Sequence, residues 1–179
     1  MIAVSRTIRV AREGDAAALS ALAERTFRDA FGASNRAADM DLHCARSYSP
    51  ERQAAEIVDP LGTTVVAEHD GALVAYVQLH RGRSPGCVPH APAVEIRRFY
   101  VLQAWHGAGL ARELMEDSVA RAGAEGAAAL WLGVWEHNPR AIHFYEKQGF
   151  TTVGEQAFVL GSDPQRDLVM VRPLPGPAR

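Results

Sequence analysis

The sequence predicts a single α/β domain in which short strands and amphipathic helices share one core. Two observations carry this prediction. Residues 93–135 follow the pattern strand, glycine-bearing turn, helix, strand, which is typical of a crossover unit. Asp70 and Gly71 separate two short apolar runs and supply the positive backbone angles that a two-residue hairpin turn needs.

The composition narrows the class of protein. With 179 residues, of which 47% are hydrophobic, the chain suffices for one substantial core but not for two. We therefore expect one domain over residues 1–172 and a tail over residues 173–179. A formal net charge of −2 without a long basic run excludes a typical nucleic-acid footprint. Two isolated cysteines, no signal-peptide pattern and no long apolar stretch predict a cytoplasmic protein without a membrane segment.

Apolar periodicity and turn residues predict the remaining elements in order. The apolar positions between Leu19 and Ala30 recur at intervals of three and four, as in a helix with one buried face. Ser49 and Pro50 are a favoured N-cap and first helical residue. In the first half, a strand is predicted over residues 7–10 and three helices over residues 19–30, 35–48 and 49–57. The two hairpin strands are predicted over residues 63–68 and 73–79, and a loop over residues 81–92. In the second half, strands are predicted over residues 93–101 and 128–135, and helices from residue 110 onward and over residues 138–149. The closing hairpin is predicted to pair residues 150–160 with residues 167–171.

Two segments of the second half carry most of the functional information. Asn138 is a favoured N-cap, Pro139 suits the first helical position and Gly149 ends the helix, so that Tyr145 lies on a short, well-delimited helix. About thirty residues upstream, residues 100–111 pass from a strand through a glycine-bearing turn into a helix. Such a turn can hold phosphate groups, because a helix N-terminus offers unpaired N–H groups and a partial positive charge.

Together the two segments resemble the acetyl-CoA site of the GNAT acetyltransferases, whose pyrophosphate loop reads Gln/Arg-x-x-Gly-x-Gly/Ala. Residues 106–111 follow that pattern except at the first position, where His106 replaces Gln or Arg. Residues 131–138, 26–31 and 158–170 are similar to bacterial PaiA-type spermine/spermidine N-acetyltransferases. The resemblance spans nearly the whole chain and implies a GNAT fold, which is a mixed, mostly antiparallel central sheet, splayed at the cofactor site, with helices on both faces.

The resemblance also implies acetyl-CoA as co-substrate and assigns residues to it. The strand that enters the glycine turn would pair with the pantetheine arm, the loop would hold the pyrophosphate, and the helix from Asn138 would lie near the thiol end. The expected cofactor-binding residues are Phe99, Tyr100, Val101, His106, Gly107, Ala108, Gly109, Leu110, Ala111, Asn138 and Tyr145.

Acetyl transfer to an amine needs a neutral amine and a proton for the departing thiolate. A primary amine with a pKa of about 10.4 must lose a proton near pH 7, so a base is needed. Glu95 is the candidate base, with Glu136 in reserve, and the alternative for Glu95 is a solvated strand carboxylate. Tyr145 is the candidate acid, because a phenol can donate to a thiolate of similar basicity; its alternative is a core tyrosine beside Phe144.

The sequence leaves the amine acceptor open. A small amine is expected, with a polyamine as the leading acceptor and Glu24, Asp29, Asp39, Asp41, Glu56, Glu95 and Glu136 as carboxylates that could border its pocket. Arg97 and Arg98 follow Glu95, and such cations would repel a polyamine. The alternatives are a protein N-terminus, a lysine or an antibiotic amine, or a regulatory domain that binds acyl-CoA without turnover. The seven histidines show no metal-ligand spacing, so no metal is expected, and a homodimer is allowed.

Overall fold

One seven-stranded sheet and five α-helices make up the part of the chain that the structure, a computed structural model, describes, namely residues 6–175. The strands are β1 Arg6–Val10, β2 Gly62–His69, β3 Ala72–His80, β4 Ala93–Val101, β5 Ala129–Trp135, β6 Thr151–Leu160 and β7 Asp163–Pro173. The helices are α1 Ala16–Phe31, α2 Ala37–Ser47, α3 Pro50–Ile57, α4 Leu110–Ala124 and α5 Pro139–Lys147.

The strand order is β1-β2-β3-β4-β5-β7-β6. Strands β4 and β5 are the parallel pair, joined through α4, and every other neighbouring pair is antiparallel. The hairpin around Asp70 and Gly71 forms as predicted, with positive φ at both residues. This arrangement confirms the predicted mixed, mostly antiparallel sheet.

Helices cover both faces of the sheet. Leu110, Leu114 and Met115 of α4 are fully buried in one core cluster, which also includes Tyr145 of α5. On the opposite face, α1 and α2 bury a second cluster that includes Leu19 and Phe27. The amphipathic patterns in the sequence therefore supply the apolar faces between which the sheet lies.

The sheet opens between its two parallel strands. Hydrogen-bonded register between β4 and β5 extends only from Ala93/Ala129 to Glu95/Trp131. Beyond that point β4 stays paired with β3 as far as Val101, and β5 stays paired with β7 as far as Trp135. The two strands thus diverge, and the wedge-shaped gap between them confirms the predicted splay.

An extra residue in β4 lies just past the start of this gap. Gln78 of β3 is in register with Arg98, and the next residue, Leu79, is in register with Ile96, so Arg97 has no partner of its own. A bulge of this kind bends a strand and redirects its side chains.

The predicted helices α2 and α3 are both present, and the closing hairpin is longer than predicted. Strand β7 begins at Asp163 rather than at residue 167, because a tight turn at Gly161 returns the chain at once. At the other end Pro173 still pairs with Ala129, and Leu174 is buried. The ordered domain therefore reaches into the segment predicted as a tail, whose residues 176–179 lie outside the described range.

Candidate functional site

Two cavities meet at Tyr145. The larger, a cleft of about 570 Å³, lies along the end of β4 and the start of α4. The smaller, a cavity of about 150 Å³, lies between α1, the bulge of β4, and β5 to β7. The residues that line both are Phe31, Phe99, Tyr100, Asn138, Ala141 and Tyr145. The gap between β4 and β5 therefore connects an elongated cleft to a compact chamber. After the ligands that the resemblance leads us to expect there, we refer to the two as the cofactor cleft and the acceptor cavity.

The cofactor cleft ends at the N-terminus of α4. Gly107 and Gly109 both have φ of +81°, a backbone angle that residues with side chains rarely adopt. The space that a Cβ would fill at Gly107 is open, and at Gly109 it is bordered only by Glu113 Oε1 at 3.9 Å. The first N–H groups of a helix have no partner within it, so this turn can bring backbone donors close to an anionic ligand.

Most of the predicted cofactor residues line the cleft. They are Phe99, Tyr100, Val101, His106, Gly107, Gly109, Ala111, Asn138 and Tyr145. Ala108 and Leu110 do not line it, because Leu110 is fully buried in the core and Ala108 is exposed on the turn.

The departure from the loop pattern at His106 has a local explanation. Its Nε2 lies 2.9 Å from the carbonyl oxygen of Val101, the last residue of β4. The ring thus bridges the end of the strand and the glycine turn, which fixes the two sides of the cleft relative to each other.

Two arginines that the sequence reasoning missed also line the cofactor cleft. Arg112 lies in the first turn of α4, and Arg140 lies in the first turn of α5. Arg112 is paired with Glu116 at 2.8 Å, and both arginines place a guanidinium group beside the cleft, which suits a ligand with several phosphates. Their positions as the third residue of α4 and the second residue of α5 were the available signal.

Helix α5 holds Tyr145 at the junction. The side chain of Asn138 accepts a hydrogen bond from the N–H of Ala141 at 3.2 Å, as predicted for an N-cap. The Tyr145 ring packs edge-on against Phe99 of β4, with ring centroids 6.3 Å apart. Burial raises the pKa of the Tyr145 phenol above its usual value, so the hydroxyl keeps its proton at physiological pH.

The acceptor cavity has aromatic walls and one carboxylate. Its aromatic residues are Phe27, Phe31, Phe99, Tyr100, Trp135, Tyr145 and Phe158. The carboxylate belongs to Asp167 of β7, whose exposed fraction is 9%. Burial raises the pKa of Asp167 to about 6. Sequence reasoning missed this residue, although an aspartate that alternates with Val169 and Val171 on one face of a strand was a usable signal.

The positive charges expected beside the acceptor are held by carboxylates. Arg98 donates to Glu56 Oε2 at 2.5 Å and to Gln78 Oε1 at 2.7 Å, and both members of the ion pair are nearly buried. The Nε of Arg97 lies 3.4 Å from Glu95 Oε2. Both arginines line the acceptor cavity, but each has an acidic partner at its head group.

The structure does not bring the predicted base to Tyr145. Glu95 lies on β4 where it still pairs with β5, before the gap opens, and it lines neither cavity. Glu136 pairs with Arg166 on the exposed side of the sheet end. Of the other carboxylates expected to border the acceptor, Asp29 lines the cofactor cleft and none lines the acceptor cavity.

No group of three or more potential metal ligands occurs among residues 6–175. Within the same range no helix is long and apolar enough to span a membrane.

A sheet split between its parallel strands, with a helix N-terminus at the end of the gap, is the arrangement that the resemblance to the GNAT acetyltransferases implies. The family described as the Acetyltransferase (GNAT) family matches residues 19–150. An uncharacterized N-acetyltransferase of Mycobacterium tuberculosis (strain ATCC 25618 / H37Rv) is 37% identical over 160 residues, which cover 89% of this chain and 98% of that protein. The chain belongs to the GNAT family of N-acetyltransferases.

Solved structures agree with this assignment. The PaiA N-acetyltransferase of Thermoplasma acidophilum in complex with coenzyme A is similar over 94% of this chain and 99% of that one, with a TM-score of 0.77 and 18% identity. The yncA acetyltransferase of Salmonella typhimurium with acetyl-CoA is similar over 98% and 97%, with a TM-score of 0.67 and 23% identity. As a member of this family, the protein is an acyltransferase that uses acetyl-CoA as co-substrate.

Proposed function

We propose that this enzyme transfers acetyl directly from acetyl-CoA to the primary amine of a small acceptor in the cytoplasm, with a polyamine as the first acceptor to test. The observation that carries the proposal is the position of Tyr145 between the two cavities. Tyr145 lines both the cleft that ends at the N-terminus of α4 and the aromatic chamber. A thioester that enters through the gap would meet an amine from the chamber at this residue.

The residues of the junction supply the remaining groups. Backbone groups of Phe99 to Val101 line the gap where β4 has lost β5, so their outward N–H and C=O groups can pair with the pantetheine arm. The same exposed backbone can donate to the oxyanion of the tetrahedral intermediate. Tyr145 gives its proton to the departing thiolate, because burial keeps the phenol protonated until the bond to sulfur breaks and raises the basicity of a thiolate that forms beside it. No covalent enzyme intermediate is needed.

The polyamine acceptor rests on two observations. The first is the likeness in fold to the PaiA protein, together with the similar sequence segments. The second is the neutralisation of Arg98 by Glu56, which weakens the repulsion that two arginines in the pocket would otherwise cause.

A second candidate acceptor is an amine with one positive charge and an apolar body. It is favoured by the lining of the acceptor cavity, where aromatic rings surround a single carboxylate. A polyamine would leave its further ammonium groups beside aromatic rings. Cation–π contacts with these rings stabilise an ammonium group less than an ion pair with a carboxylate does.

The test is release of free thiol from acetyl-CoA by the purified protein, with mass spectra of the products. The acceptor panel contains spermidine, spermine, putrescine, 2-phenylethylamine, an aminoglycoside and a lysine peptide. Monoacetylated spermidine or spermine supports the polyamine, and acetylated 2-phenylethylamine with inert polyamines supports the second candidate. Measurable binding of acetyl-CoA without turnover on any amine contradicts the proposal and favours a regulatory acyl-CoA-binding domain.

The acid role of Tyr145 is tested with Tyr145→Phe. Loss of a positioned proton donor costs about 100-fold or more in kcat, whereas the ring and its packing remain. We expect kcat to fall by that amount and the dissociation constant for coenzyme A, measured by calorimetry, to stay within about twofold of wild type. The matched control is Tyr76→Phe, which removes a buried hydroxyl that lines neither cavity and should leave kcat unchanged. Equal losses in kcat and in cofactor affinity would contradict the acid role.

A further inference from the structure

Asp167 is a buried acid without a partner in the described part of the chain. No hydrogen bond or ion pair of its carboxylate is found there, burial is the one cause of its raised pKa, and its exposed fraction is only 9%. Buried carboxylates are normally paired, since an unpaired buried charge is costly. An unpaired one that opens into a cavity is a candidate for a ligand-binding or proton-transfer group.

The neighbouring strand is shaped to admit this carboxylate. Asp167 is in register with Trp135 of β5, and its side chain leans over Gly133, two residues earlier on the same face. A Cβ at Gly133 would lie 3.1 Å from Asp167 Oδ2 and 2.6 Å from Gln156 Nε2. The glycine therefore leaves room for the carboxylate to reach the gap in which Tyr145 lies.

The other groups that face the acceptor cavity cannot replace Asp167 as a proton acceptor near neutral pH. Burial raises the pKa of both Tyr100 and Tyr145, so both stay protonated. The charged groups are Arg97 and Arg98, which stay cationic. From β6 the neighbour is Gln156, which is neutral, and Gly133 and Trp135 of β5 carry no charge. Among the described residues that face this cavity, Asp167 is thus the group that can accept a proton near neutral pH.

We propose that Asp167 binds the ammonium group of the acceptor and accepts its first proton, in place of Glu95. The inference rests on the proposed acetyltransfer and names a residue within that site. The carboxylate takes one proton from the ammonium and passes it to solvent, which leaves a neutral amine. The nitrogen lone pair then attacks the acetyl carbon, and the bond from carbon to sulfur breaks. Tyr145 protonates the thiolate, and the second proton lost from nitrogen restores the phenol.

All protons in this reaction are accounted for without a further reactant. An ammonium group that becomes an acetamide loses two protons, of which one leaves through Asp167 and one replaces the proton given to sulfur. A pKa near 6 suits the task, because the carboxyl is mostly ionised at pH 7 but remains a stronger base than an exposed aspartate.

The experiment uses the full chain and the acceptor that gives turnover in the panel. We expect Asp167→Asn to lower kcat/KM for that amine by about 100-fold, with the dissociation constant for coenzyme A unchanged. The wild-type profile of kcat/KM against pH should fall below pH of about 6, and this acidic limb should be absent from the variant. The control is Glu155→Gln, which neutralises an exposed carboxylate on the adjacent strand and should keep both the rate and the limb.

A β,β-difluorinated analogue of the same acceptor separates a role in proton transfer from a structural one. Fluorine lowers the basicity of the amine by several pKa units, so a large fraction of the analogue is already neutral near pH 7 and needs no base. We expect the loss caused by Asp167→Asn to shrink to less than about tenfold with this analogue. A merely structural role predicts the same loss with both amines and would overturn the proposal.

A second variant moves the carboxylate without removing it. Gly133→Ala should displace Asp167 and Gln156, lower kcat/KM for the amine and retain an acidic limb. If Asp167→Asn keeps wild-type kinetics, or if Glu95→Gln instead removes the limb, the inference is wrong while the acetyltransfer stands. If no amine turns over with the wild-type protein while coenzyme A binds, the proposed function itself fails, and with it the role of Asp167.

Discussion

Two nearly buried carboxylates belong to the surroundings of the acceptor cavity, one bound to Arg98 of its β4 wall and the other in its lining, and their environments differ. On the β4 side, Glu56 of α3 meets Arg98, which is also hydrogen-bonded to Gln78 and to the carbonyl oxygen of Ser47. On the β7 side, Asp167 has no charged or hydrogen-bonding partner within residues 6–175, and its pKa is raised to about 6 by burial. The paired carboxylate of Glu56 holds a wall residue, Arg98, in place, whereas the unpaired carboxylate in the lining is available to a ligand.

The two carboxylates differ in how the free-energy cost of removing their charge from water is offset. A buried ion pair offsets its desolvation only while both members are present. A lone buried carboxylate costs stability whenever it is ionised, and such a cost is typical of groups retained for binding or catalysis. We therefore predict that removal of Glu56 lowers the free energy of unfolding, whereas removal of the Asp167 charge raises it.

The largest effect on stability is expected for Glu56→Ala. Removal of Glu56 leaves Arg98 buried without an acidic partner, and breaking a buried pair on one side costs about 3 kcal/mol. The unfolding midpoint in urea should fall accordingly, with an unchanged slope. A midpoint equal to that of the wild type would show that Arg98 finds another partner. It would contradict the difference in stability that we infer between the paired and the unpaired carboxylate.

A smaller effect of opposite sign is expected for Asp167→Asn. The folded-state pKa of Asp167 lies above its unfolded value of about 3.8, so the native state binds more protons between pH 4 and 6 and loses stability as the pH rises through this window. From pH 4 to pH 7 the wild type should lose about 1–2 kcal/mol relative to the variant, allowing for partial solvent access. Urea unfolding of both proteins at the two pH values measures this difference. Parallel pH dependence would contradict the raised pKa.

The smallest effect is expected for Glu155→Gln. Glu155 and Arg166 form an ion pair at 3.0 Å on the exposed face of β6 and β7, with more than half of each side chain accessible to solvent. Such pairs contribute little, because water and salt screen them. The urea midpoint should not change measurably at either pH, and a clear shift would mean that charge on this hairpin matters beyond the buried carboxylates.

Much of the cofactor side was predictable, because its signals are local. Asn138 and Pro139 begin α5, the glycines of residues 106–109 adopt positive φ, and these features depend on neighbours within a few residues. The acceptor side was predicted less well. Glu95 was expected near Tyr145 from its place on the strand, yet β4 and β5 are still paired at that point, and its carboxylate lines neither cavity.

The sequence by itself determined the order of elements, the helix ends, the hairpin at Asp70 and Gly71, and the family, since these follow from local backbone preference and recurring motifs. The tertiary structure alone decided which charges meet. Glu56 and Arg98 are 42 residues apart, and they pair only because α3, which packs against α1 and β2, brings Glu56 to the side chain of Arg98 on β4. Asp167 reaches the acceptor cavity only because β7 pairs with β5 opposite the gap and Gly133 has no side chain. Contacts of this kind depend on how distant strands align, which no short segment of the chain can specify.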